Sequence, residues 1–314
     1  MSLLIKTPFD ALIYEFHIFL GFSWRDWSTT LIPGSIFSIG AMRTLPHSSR
    51  IFQKYLFLIL WLTLFVYWFT LSNQITGVEE DRINKPDRPI PSQKVTVIGA
   101  KMRWALVLIA FISTAVIYEP TLLPEVICWV LTTALLCVTP FGKHWFVKNC
   151  VAMTTGTWAL LGGSWKAIVP LTPHAENLVL TVSVWTGLLM PLQDLWDMEG
   201  DAAIGRKTLP LVVGSTACRQ IVTFFLIPVS LLILWGGGII SNAPVPLIAV
   251  HTFLGYRIMH DNGSYYDHKT YMVFTYIFCL VLAFTALEGL EWSSMIDYIK
   301  QHSLGCYKSK SPSP

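Results

Sequence analysis

Long apolar stretches separated by short polar segments set the pattern of this chain. A helix that crosses a bilayer needs about 20 predominantly apolar residues. Nine stretches approach that requirement: 27–42, 51–72, 102–118, 121–141, 147–166, 177–193, 220–235, 243–258 and 271–290. Ahead of the first, residues 9–22 are apolar and rich in aromatic rings, which predicts an interfacial segment within residues 1–22. Residues 308–314 are polar and are expected to be disordered. The pattern therefore predicts an all-α integral membrane protein. It would be a bundle of about nine transmembrane helices forming a single domain over residues 1–314.

Composition supports lipid as the solvent. Hydrophobic residues make up 53% of the chain, charged residues only 13%, and the mean hydropathy is +0.54. A soluble domain carries about 25% charged residues. The net charge of +3 is small and the basic residues are scattered, so nucleic acid is not an expected partner. The start of the chain, with Lys6, Asp10 and Glu15 close behind a short apolar run, does not read as a cleavable signal peptide. Six cysteines, with no CxxC pair, read as packed thiols. More lysine and arginine falls before the first span and after the even-numbered spans than on the other side. That bias predicts those loops, and both acidic motifs described next, to face the cytosol.

Two polar segments carry the candidate chemistry. The first, 73–92, directly follows a membrane helix and contains Asn73, Gly77, Glu79, Glu80 and Asp81, then Lys85 and Arg88 in a proline-punctuated loop. If that helix continued, Asn73, Gly77 and Asp81 would stack on one face, with Glu80 at its edge. The second segment, 194–214, holds Asp194, Asp197 and Asp201, spaced by three and four, followed by Arg206 and Lys207. Gly200 and Gly205 are expected to end or bend its helix. Oxygen ligands on one helical face suit Mg²⁺, which binds one or two carboxylates together with phosphate oxygens. The neighbouring cations suit phosphate directly. Three acids on one face also repel one another unless a cation is present.

Taken together these motifs resemble those of the UbiA superfamily of intramembrane prenyltransferases. The family's first motif is Asn-Asp-x-x-Asp-x-x-x-Asp, often followed by Asn-Lys-Pro-x-Arg-Pro-Ile-Pro; Asn73, Asp81 and residues 84–91 match it. Its second is Asp-x-x-Asp-x-x-Gly-Asp, followed by Gly-x-Lys-Thr-Leu-Pro; Asp194, Asp197, Gly200, Asp201, Gly205 and residues 207–210 match that. Arg25 and the pair Lys148-Asn149 resemble further family positions. The resemblance implies Asn73, Glu80, Asp81, Asp194, Asp197 and Asp201 as Mg²⁺ ligands, with Asp81, Asp197 and Asp201 central to catalysis. It implies Arg25, Lys85, Arg88, Lys148, Arg206 and Lys207 as contacts to a prenyl diphosphate, either geranylgeranyl or farnesyl diphosphate.

One departure matters. Gln74 and Gly77 stand where the family usually has acids. This form looks like fungal members, among them terpene cyclases, including the cyathane-forming diterpene group. The resemblance thus implies ionisation of a prenyl diphosphate and closure of the chain on itself. Trp61, Tyr67, Trp68, Trp158, Trp165 and Trp185 lie in predicted helices as aromatic candidates, none of them distinguished from ordinary packing. A prenyltransferase acting on an aromatic or quinone-precursor acceptor uses the same ionisation and stays open. A transporter or lipid-binding protein is a weaker third class, because the acids sit at helix ends without a charged path across the bilayer. A multipass chain of this kind is expected in the endoplasmic reticulum membrane.

Overall fold

The computed structural model describes residues 7–45 and 50–288. The chain opens with α1 (Pro8–Ser23), α2 (Leu31–Arg43), α3 (Arg50–Thr76) and the short α4 (Val78–Asn84). It continues through α5 (Val97–Ser113), α6 (Leu123–Cys137), α7 (Met153–Lys166), α8 (Pro173–Leu189) and a second short helix, α9 (Met198–Ala203). Then follow α10 (Leu209–Val213), α11 (Ser215–Ile221), α12 (Ile227–Gly236), α13 (Ile239–Asn242), α14 (Pro244–Met259) and α15 (Ser264–Ala286). Each of the nine expected spans falls on a helix, although residues 289–290 of the last lie outside the described residues.

Among the described residues, six helical stretches are long and apolar enough to cross a membrane: Arg50–Thr76, Val97–Tyr118, Pro120–Cys137, Pro173–Leu195, Ser215–Gly236 and Ser264–Ala286. The other three expected spans rest on α2, α7 and α14, whose α-helical lengths are 13, 14 and 16 residues. A wider π turn at Phe146–Ala152 leads into α7, and similar turns interrupt the stretches after α5 and α11. Periodicity alone does not announce such turns.

Local chemistry explains where helices begin. Thr7 and Asp10 form a reciprocal capping box at α1. Thr96 and Thr172 accept backbone N–H groups at the starts of α5 and α8, and Pro173 occupies the first turn of α8, where its missing N–H is not needed. The core is aromatic and aliphatic, with Trp61 and Trp185 fully enclosed. Leu106, Ile109, Leu131, Phe224 and Leu232 point outward and stay exposed, as lipid-facing positions should. On α1, Ile18 and Phe22 are buried in a small cluster with Leu71 and Val95, whereas Phe9, Leu12 and Phe16 are exposed.

The helices carrying the acidic motifs do not run on continuously. α3 stops at Thr76, and Gly77 starts α4 afresh as its N-cap. After α8 the chain tightens into a 3-10 turn at Met190–Leu195, whose Pro191 removes a ladder donor, and Asp197 then caps α9. The single helical face expected for Asn73–Gly77–Asp81 and the one expected for Asp194–Asp197–Asp201 are both broken. The short helices α4 and α9 pack against each other at the mouth of a cavity.

Candidate active site

The contact between α4 and α9 sets the geometry. A Cβ on Gly200 would overlap the Asn84 side-chain amide, so only glycine admits this approach. Gly200 therefore lets the helices meet rather than ending α9; the bend falls at Gly205, whose φ is +69°. The Asn84 amide then donates to Asp197 Oδ1 at 3.3 Å. Across this contact Glu80, Asp197 and Asp201 place one carboxylate oxygen each within 4.8 Å of one another. Arg206 joins the motifs, donating to Glu80 at 2.9 Å and to Asp201 at 2.7 Å. Asp201 Oδ2 is buried and accepts no hydrogen bond, with Lys148 Nζ 3.9 Å away. Three clustered carboxylates and an unsatisfied oxygen suit a hard divalent cation such as Mg²⁺.

The remaining predicted residues divide into two groups. Asn73, Lys85, Arg88, Lys148 and Arg206 line the same cavity as Glu80 and Asp197. Lys85 lies 5.4 Å over the Trp196 ring. Burial, followed by the charge of Arg88, lowers its pKa, while Asp197, Asp81 and Glu80 oppose the shift. The other predicted residues go elsewhere. Both oxygens of Asp81 accept from Arg88 Nη1, at 2.7 and 2.9 Å, and the pair is buried. Asp81 thus orients Arg88 and does not join the carboxylate trio. Asp194 is fully buried and accepts from Lys148 and Asn149, each at 2.7 Å. Arg25 pairs with Asp87 at 2.6 Å. Lys207 is exposed, its backbone bridged to Lys143 and Trp145. Neither Arg25 nor Lys207 is among the residues lining the cavity.

Below its polar mouth the cavity, of about 230 Å³, is walled by Phe65, Phe69, Trp129, Phe274 and Phe278. Phe65 and Trp129 stack with ring centroids 4.2 Å apart, and the Trp129 indole N–H donates to the Phe65 carbonyl at 3.0 Å. None of the six aromatic residues singled out from the sequence lines this cavity; Trp61 and Trp185 are enclosed in the core instead.

A carboxylate trio and cations above an aromatic chamber are an arrangement that can hold a diphosphate with its prenyl tail inside. The family model of the UbiA prenyltransferase family matches residues 31–278. The chain belongs to that family. It is 59% identical over 284 residues to the diterpene cyclase eriG of Hericium erinaceus, covering 90% of this chain and 92% of that protein. It is 51% identical over 283 residues to the polyprenyl transferase eriF of the same fungus, covering 90% of this chain and 98% of that one. Among solved structures, a UbiA homologue from Archaeoglobus fulgidus bound to GPP and Mg²⁺ superposes with a TM-score of 0.64 at 12% identity. That match covers 86% of this chain and 99% of the homologue, and it shows the shared fold.

Against the family motif, the place of the absent acid at Gly77 is informative. A Cβ there would press on the Asn73 carbonyl oxygen at 2.9 Å and lie 3.7 Å from Glu80 Oε2. Glu80, three positions on, thus brings its carboxylate beside the place the family fills from position 77. On one continuous helical face Glu80 would stand at the edge and Asp81 at the centre; the geometry reverses the two. Two further residues were missed. Asn84 was read only as part of a motif match, although an amide can reach across a glycine contact. Asp26, in the 3-10 turn Trp24–Thr29, lines the cavity and carried no sequence signal beyond its place between Arg25 and Trp27.

Proposed function

We propose that this UbiA-family chain is an Mg²⁺-dependent terpene cyclase that ionises geranylgeranyl diphosphate and closes the freed chain into a cyclic hydrocarbon. The observation carrying this reading is the trio Glu80, Asp197 and Asp201, drawn from both acidic helices at the mouth of an aromatic-walled cavity. Identity of 59% with a diterpene cyclase favours cyclisation and a C20 substrate. Farnesyl diphosphate is the shorter substrate to be tested beside it.

Glu80, Asp197 and Asp201 would hold Mg²⁺, which would supply charge neutralisation for the departing diphosphate. Lys85, Arg88 and Lys148 bind diphosphate oxygens from the cavity lining, with Arg88 aimed by Asp81 and Lys148 by Asp194. Asn73 offers a further polar contact at the mouth. Arg206 holds Glu80 and Asp201 together across the two motifs. Leaving-group departure gives an allyl cation in the chamber. There the faces of Phe65, Phe69, Trp129, Phe274 and Phe278 stabilise positive charge, and the walls keep water from quenching it. Residues 1–22 serve as an interfacial segment of this single domain, and the mouth faces the cytosol at the endoplasmic reticulum membrane.

A second reading, prenyl transfer to an acceptor, is favoured by the 51% identity to a polyprenyl transferase. Incubation of the purified protein with Mg²⁺ and geranylgeranyl diphosphate alone separates the two. Cyclic hydrocarbon with stoichiometric diphosphate supports the cyclase. Turnover that begins only when an aromatic acceptor is added supports the transferase and overturns the cyclase.

A further inference from the structure

A cyclisation that ends in a hydrocarbon must lose a proton, so a base has to reach the chamber. Three carboxylate residues line the cavity: Asp26, Glu80 and Asp197. Two are committed. Glu80 accepts from Arg206 at 2.9 Å, Asp197 accepts from Asn84 at 3.3 Å, and both belong to the metal-binding trio. The Asp26 carboxylate accepts no hydrogen bond and forms no ion pair among the described residues. Its neighbours Thr29 and Thr30 donate their hydroxyls to the Asp26 backbone carbonyl instead, at 3.1 and 2.5 Å. Asp26 is half-buried, in the turn where α1 passes into α2, and Tyr271 and Phe274 of α15 line the same cavity.

We propose that Asp26 is the base that ends cyclisation, a role that rests on the cyclase reading above. A C–H bond beside the cationic carbon breaks, its electron pair becomes the new C=C bond, and the proton passes to an Asp26 carboxylate oxygen. The proton then leaves with the released diphosphate at the mouth, which restores the carboxylate. Burial raises the Asp26 pKa, against the opposing charges of Arg88, Lys85 and Arg25, and so strengthens it as a proton acceptor. Hydrogen bonds would have weakened it as a base, and its carboxylate accepts none. Asp26 stands outside the trio but close to Lys85 and Arg88, so the proton it takes has a short way to the released diphosphate.

The test compares wild type, Asp26→Asn and Asp26→Glu with Mg²⁺ and geranylgeranyl diphosphate alone. Diphosphate release and hydrocarbon are measured in the same reaction. In Asp26→Asn, diphosphate release is expected to persist while hydrocarbon per diphosphate released falls about 100-fold, with alcohols or linear products in its place. Asp26→Glu should restore part of the hydrocarbon. An unchanged product profile in Asp26→Asn overturns the proposal and leaves the diphosphate or another group as the base. Loss of diphosphate release in Asp26→Asn overturns it too, because Asp26 would then serve ionisation. A wild type that makes hydrocarbon while Asp26→Asn does likewise fails only this proposal. A wild type that turns over only with an added acceptor fails the cyclase reading, and the base with it.

Discussion

α9 gives two carboxylates to the trio at the cavity mouth, Asp197 and Asp201, and α4 gives one, Glu80. Each motif also uses one aspartate to hold a cation: Asp81 holds Arg88, and Asp194 holds Lys148. These five acids are therefore of two kinds. Some face the space where a metal and diphosphate would sit, and others fix the side chains that would grip the diphosphate. Position in a motif does not say which kind a given acid is; the break in the helix does.

The largest expected effect tests the α9 side. Asp197→Ala or Asp201→Ala should lower kcat by about 10²–10³-fold, with the protein still inserted, and chelation of Mg²⁺ should abolish turnover. Full activity in either variant would remove the metal role. Next comes the ranking within α4. Glu80→Gln should cost about 10²-fold in kcat, and Asp81→Asn, which only frees Arg88, about 10-fold and chiefly in KM. The opposite order would return Asp81 to the trio. A sharper version places Gly77→Asp in the Glu80→Gln background. Because the two side chains would compete for one place, the double variant should regain part of the lost activity; Gly77→Ala alone, whose Cβ meets the Asn73 carbonyl at 2.9 Å, measures the backbone cost, and no recovery beyond that cost would show that Glu80 does not stand in for that acid. The smallest effect belongs to Arg25→Ala. This partly exposed pair with Asp87 is worth about 0–1 kcal/mol, so a change of a few-fold at most is expected in diphosphate turnover.

Much of the frame was legible in the sequence, because lipid forces apolar residues into long uninterrupted runs. The stretch 243–258 was placed within one residue of α14. The first span was expected from residue 27, but α2 starts at Leu31 because residues 24–29 wind as a 3-10 turn. The site was half legible. Asp197, Lys85, Arg88 and Arg206 of the two motifs, and Lys148 from the loop ahead of α7, line one cavity, with Asp201 beside Asp197. Glu80 and Asp81 changed places because a face projected along one continuous helix loses its phase once Gly77 restarts the helix. Asp26 was out of reach for a different reason. Its significance comes from sharing a cavity with residues of α3, α7 and α15, and no local spacing encodes that. The aromatic wall was out of reach likewise, since tryptophans stand out in the sequence while four of the six aromatic residues lining the cavity are phenylalanines.

The meeting of Gly200 with Asn84 has a consequence for how such a protein can change over generations. The amide of Asn84 occupies the space a side chain at 200 would need, and from there it holds Asp197. A mutation that enlarges residue 200 pushes the Asn84 amide aside and releases Asp197. Shrinking residue 84 first releases Asp197 and weakens the site before any benefit appears. The two positions are therefore locked as a pair. Drift should therefore move through the chamber walls and leave this junction alone.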